Sequence, residues 1–122
     1  MANKQFTDMT VWQDSHKLAL NIYKATRQFP RDELFGLTSQ VRRAAVSVPS
    51  NLAEGFNRLS LKEKVQFYSI SMGSVSEVQS QLMLAKDLGY LSPDELTNLL
   101  ILSESVHKQL VGLIKSLRSP KA

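Results

Sequence analysis

The sequence predicts an all-α protein: an antiparallel up-down-up-down four-helix bundle whose second helix kinks near Pro49. Three observations carry this expectation. Apolar residues recur at steps of three, four or seven in four segments. Short turn-forming stretches join those segments. Two segments open on helix-start signatures, Ser60 with Glu63 and Ser92-Pro93-Asp94-Glu95. At 122 residues the chain is expected to form one domain, 1–122, because folding at this length hides roughly two thirds of the unfolded surface.

The first helix is expected over about Val11 to Gln28, with Val11, Leu18, Ile22, Ala25 and Phe29 on its inner face. Phe29-Pro30 closes it, since a residue before proline is pushed out of the helical region. The second begins near Asp32 and ends around Gly55. Its face is Leu34, Leu37, Val41, Ala44 or Ala45, Val48 and Leu52. Pro49 removes a hydrogen bond to the Ala45 carbonyl, at a cost of about 3 kcal/mol in an unsupported helix. A kink is expected, with Ser47 or Ser50 helping the freed carbonyls, and a break into two helices is the alternative.

The third helix starts at a Ser60–Glu63 capping box. It carries Val65, Tyr68, Met72, Val75, Val78 and Leu82, and Leu88-Gly89 caps its end. The fourth opens on Ser92 with Pro93 at the first helical position, where a missing amide hydrogen costs nothing. Leu96, Leu99, Val106, Leu110, Leu113 and Leu117 follow. Short connections make sequential helices antiparallel neighbours.

Composition narrows the function classes. Zero cysteines exclude disulfides and thiolate metal sites, and the amino-terminal run MANKQFTDMTVWQDSHK lacks the apolar segment of a signal peptide. With no membrane-length apolar stretch, the expectation is a soluble cytoplasmic protein. Fifteen Lys+Arg against eleven Asp+Glu give +4, spread without a basic or acidic tail. That balance mildly favours polyanionic partners.

Helix faces that the core does not need are informative. Lys17, Lys24, Arg27 and Arg31 fall near one another on the first helix and its exit, and Lys108, Lys115 and Arg118 form a weaker patch on the fourth. These seven are the candidate nucleic-acid contacts, a solvated face being the plain alternative. On the third helix Ser69, Gly73, Ser76 and Ser80 form a small-residue seam opposite the apolar stripe, which suits close approach of another helix. On the second, Arg43, Ser47, Ser50, Glu54 and Arg58 share roughly one face. Arg43 and Glu54, about 16 Å apart along the axis, can pair only between chains. Glu54 and Arg58 can pair locally.

No phosphate loop, metal-ligand spacing or nucleophile elbow is present. Asp14-Ser15-His16 cannot form a triad, because consecutive helical residues point about 100° apart. His107 reads as a hydrogen-bonded boundary residue. Glu54, Glu77 and Glu104 lack the Glu-x-x-His partner of a carboxylate metal bundle. The expectation is a protein without enzymatic activity, cofactor or metal. Trp12, Tyr23 and most phenylalanines fall near core positions, so no aromatic platform for bases is expected.

The run FGLTSQVRRAAVSVPSNLAEG from Phe35 to Gly55, followed by Arg58, resembles the bacterial four-helix-bundle family encoded by intervening sequences of 23S ribosomal RNA genes. Val11-Trp12-Gln13, Tyr23, Phe29-Pro30, Gly73-Ser74 with Glu77, and Leu88-Gly89-Tyr90-Leu91 extend the resemblance over nearly the whole chain. It implies a homopentameric barrel related to the accessory variability proteins of diversity-generating retroelements, which bind nucleic acid and a reverse transcriptase. Its motif falls on Gln40, Arg42, Arg43, Ser47, Asn51, Glu54, Gly55 and Arg58. Together these readings lead to an oligomeric accessory protein that binds RNA or DNA, with a protein–protein interaction scaffold as the alternative.

Overall fold

The computed structural model describes residues 3–119. A 3-10 turn at Phe6–Asp8 precedes four helices, α1 (Thr10–Thr26), α2 (Leu37–Phe56), α3 (Leu61–Asp87) and α4 (Pro93–Arg118). A second 3-10 turn, Arg31–Glu33, lies between α1 and α2, and the described residues contain no strand.

Local chemistry sets most of the helix ends. At α4 the capping box is complete: Ser92 Oγ accepts from the Glu95 amide at 3.1 Å, and Glu95 Oε1 accepts from the Ser92 amide at 2.8 Å. The second of these bonds, followed by one from Gln28, holds the Glu95 carboxyl below its ordinary pKa. At α3 only half of the expected box forms. Ser60 Oγ accepts from the Glu63 amide at 3.1 Å, while both residues are exposed and water competes for the Ser60 amide. Gly89, at φ +83°, ends α3 with paired bonds from Tyr90 N to Ala85 O and from Gly89 N to Lys86 O, each 2.9 Å.

The start of α2 differs from expectation by five residues. Glu33, rather than a helix beginning near Asp32, supplies the first-turn acceptor: its Oε1 takes the Leu37 amide at 3.1 Å. Its Oε2 takes the Tyr90 hydroxyl at 2.9 Å, which raises the Tyr90 pKa above its ordinary value. Leu34, expected on the core face, is therefore in the turn and half-exposed.

Helix direction follows from which residues bond across each seam. Ser71 Oγ donates to Val48 O, and Ser47 Oγ lies 2.8 Å from Ser74 Oγ, so numbers rise on α3 as they fall on α2. Gln28 with Glu95 and Asp14 with Gln109 oppose α4 to α1, and the apolar clusters, one holding Ile22 with Val41 and the other Val11 with Val48, oppose α2 to α1. Each helix packs on two neighbours, and the order α1, α2, α3, α4 closes on itself.

The interior divides into two apolar clusters. One gathers Leu18, Ile22, Val41, Ala45, Val78, Leu82 and Leu99 near the exits of α1 and α3. The other gathers Val11, Val48, Leu52, Tyr68, Val75, Val106 and Leu110 near the opposite end. Fully buried Ser15, Ser71 and Ser103 belong to neither. Ser15 and Ser103 return their hydroxyls to carbonyls of their own helices, Val11 and Leu100.

Pro49 is buried inside α2, which continues through it as one helix. The expected help from nearby hydroxyls takes another form: Ser47 Oγ bonds Ser74 Oγ and Asn51 Nδ2, and exposed Ser50 faces α1. Ser71 from α3 donates to the Val48 carbonyl at 2.8 Å. The neighbouring helix thus bonds the carbonyl that precedes the proline, not the Ala45 carbonyl that Pro49 leaves free.

Candidate interaction surfaces

Most of the α2 motif is occupied inside the chain. Arg42 lies 4.6 Å over the Tyr23 ring and donates to Thr26 Oγ1 and, at 3.4 Å, to Tyr23 O. It thereby delivers positive charge to the carboxyl-terminal end of α1, where helix carbonyls favour it. Asn51 Nδ2 donates to both the carbonyl and the hydroxyl of Ser47 at 2.9 Å. Arg58 pairs with Glu54 at 3.0 Å and covers Phe67 at 4.8 Å, so the local pairing forms.

Gly55 marks the close approach of α2 and α3. A Cβ there would meet Tyr68 Cε1 at 2.7 Å and Phe67 Cβ at 2.9 Å. Tyr68 is buried against it, and burial raises the Tyr68 pKa. Of the motif only Gln40, Arg43 and Glu54 remain exposed in the body of α2, and the expected shared face divides. Ser47 turns to α3 and Ser50 to α1. Gln40, Arg43 and Ser47 line a polar groove of about 290 Å³ with Glu77. Beyond it, Gln81 Oε1 is buried without a donor among the described residues.

All seven basic candidates, Lys17, Lys24, Arg27, Arg31, Lys108, Lys115 and Arg118, are exposed. The ion pairs among the described residues are Glu54–Arg58 and Lys86–Asp87, so none of the seven is neutralised by contact. Arg27 and Arg31 come together with Arg42 around a cleft of about 330 Å³ where the chain leaves α1. No carboxylate lines this cleft.

Two uncharged surfaces are also exposed. Ser69, Gly73, Ser76 and Ser80 all face outward on α3, flanked by exposed Ile70, Met83 and Leu84. A Cβ at Gly73 would meet nothing within 4 Å. Between α1 and α2 an apolar groove of about 510 Å³ is lined by Phe6, Trp12, Leu20, Tyr23, Val46 and Pro49. His16 stacks on Trp12 at its edge, with centroids 4.8 Å apart. Ser15 and Asp14 point elsewhere, to Val11 O and Gln109, so the three consecutive residues diverge. His107 is half-buried between α3 and α4, and its ring makes no hydrogen bond among the described residues, contrary to expectation.

Sequence reasoning missed the three-arginine cleft and Phe35. The latter is 93% exposed, while Phe6, Phe29, Phe56 and Phe67 are buried or half-buried. The signal was present in Leu34-Phe35-Gly36, which ends in a residue that disfavours helix and follows Pro30 closely. Among the described residues no group of three His, Asp or Glu side chains is placed to hold a metal ion, and no helix is long and apolar enough to cross a membrane.

A family model described as 23S rRNA-intervening sequence protein matches residues 7–112. The fold is similar to the crystal structure of a protein of unknown function from the S23 ribosomal protein family of Bacteroides thetaiotaomicron. That similarity has a TM-score of 0.79 at 21% identity, over 87% of this chain and 99% of the other. Comparison with curated proteins gives no match.

Proposed function

The chain belongs to the 23S rRNA-intervening sequence protein family, and on that premise we propose that it is a non-enzymatic, self-associating bundle that binds the phosphate backbone of RNA or DNA. The observation that carries this reading is the set of exposed basic side chains on α1, its exit and α4, none of them in an ion pair among the described residues. Such contacts are largely blind to sequence and weaken as salt displaces them. Assembly multiplies the modest charge of one copy.

Self-association is supported by α3. Between Lys64 and Lys86 its sole charged residue is Glu77, although a full outward face is exposed. The resemblance described above favours five copies and a reverse transcriptase as a protein partner. A scaffold that binds only proteins is the second reading, favoured by the apolar groove between α1 and α2.

Fluorescence anisotropy with RNA and DNA over a salt series tests the first reading, whose expected result is binding with a negative salt dependence. Absence of binding at low salt removes it. Light scattering tests assembly, and a monomer at micromolar concentration refutes it. Gly73→Leu is the matched variant: its side chain meets open space within one copy, so helix content should stay while the mass falls. An unchanged mass clears the α3 seam of that role.

A further inference from the structure

Two exposed features meet in sequence at the exit of α1: a cleft of arginines, of which only Arg42 also bonds inside the chain, and the aromatic residue that follows its wall residue Leu34. Arg27, Arg31 and Arg42 line the cleft, together with Pro30, Leu34 and Thr38. Three guanidinium groups around one concavity repel one another unless an anion enters. The neighbouring carboxylate, Glu33, is committed elsewhere, one oxygen to the Leu37 amide and the other to the Tyr90 hydroxyl. Asp32 is exposed outside the lining. Arg42 is oriented in advance by Thr26 and the Tyr23 ring.

Phe35 directly follows Leu34 of the cleft wall and is 93% exposed. It is held on a short turn by bonds from Leu34 N to Arg31 O and from Gly36 N to Glu33 O, both 3.0 Å. An aromatic ring offered to water on a bonded turn, one residue beyond the wall of a cleft lined by three arginines and no carboxylate, matches a nucleotide: a phosphate for the arginines and a base for the ring. A duplex keeps its base faces stacked inside, whereas a single strand presents them.

We infer that this end of the bundle is a binding site for single-stranded nucleic acid, with the backbone phosphate in the Arg27–Arg31–Arg42 cleft and a base stacked on Phe35. The inference rests on the proposed nucleic-acid binding and narrows it to one site and one strand state. Phe35 makes no core contact, so its replacement spares the fold, and Phe35→Tyr preserves the stacking face.

The test is anisotropy with short labelled oligothymidine, oligouridine and a DNA duplex, on wild type, Phe35→Ala, Phe35→Tyr and Arg31→Gln, with the molar mass of each variant measured in parallel. Phe35→Ala should weaken both single strands by roughly 10-fold while duplex binding and mass stay unchanged. Phe35→Tyr should bind as wild type. Arg31→Gln should lower the salt slope by about one contact. The inference alone is overturned if wild type binds nucleic acid and Phe35→Ala leaves single-strand affinity intact, weakens duplex equally, or changes the mass. If wild type binds none of the three probes, the broader reading falls and this one with it.

Discussion

Replacing Gly55 with alanine is a direct test of how α2 and α3 are held. The added methyl would stand 2.9 Å from Phe67 Cβ, an atom fixed to the α3 backbone, and 2.7 Å from Tyr68 Cε1 in the core. An ordinary carbon contact begins near 3.4 Å, so the two helices must separate by about 0.5 Å at this point. They are also clamped a turn or two away by Ser71 to Val48 and Ser47 to Ser74. Overpacking of this kind costs about 1–3 kcal/mol. Two contacts below 3.0 Å place this case in the upper half of that range, about 2–3 kcal/mol, and alanine's better helix propensity returns about 1 kcal/mol, leaving a net loss of about 1–2 kcal/mol. Gly112→Ala is the control, because its Cβ meets nothing within 4 Å and it should gain about 0.5–1 kcal/mol. Urea unfolding of both variants gives the comparison. Equal shifts, or a neutral Gly55→Ala, refute the close approach as a determinant of stability.

Gly89→Ala places a Cβ at φ +83° and should cost about 1–2 kcal/mol in the same assay although no atom crowds it. Gln81→Met removes a buried acceptor without a donor and should raise stability by about 1 kcal/mol. Tyr90→Phe removes the bond to Glu33. Because the folded-state Tyr90 pKa is raised above 10.0, the contribution of that bond is fully present below pH 10.0 and is lost as pH rises through the folded value. The stability gap between wild type and Tyr90→Phe should therefore hold at neutral pH and close in strongly alkaline urea melts.

Where helix ends depend on adjacent residues, the sequence was sufficient. Ser92 with Pro93 and Glu95, and Leu88-Gly89, act through bonds spanning three to five residues, and both ends lie where their chemistry predicts. The start of α2 depends on Glu33, whose carboxylate is steered by Tyr90 from 57 residues away, so periodicity alone carried the helix too far towards Asp32. Leu34 and Phe35 were misassigned for the same reason. The motif residues were legible as a set but not in their roles. That Arg42 would turn inward to the end of α1 while Arg43 faced out follows from helix packing, since adjacent residues differ by about 100° in direction. The basic residues were legible because lysine and arginine seek water wherever a helix offers it. Their gathering with Arg42 into one cleft required the turn geometry.

The division of the interior into two apolar clusters has a consequence for motion. Each cluster takes side chains from all four helices, and Ser15 and Ser103, which fall between the clusters along α1 and α4, contribute little apolar area. Fraying that begins at one end of the bundle is therefore met by a second, intact cluster before it crosses the molecule. Opening confined to the end that carries Phe35 would leave the far cluster to keep the four rods in register.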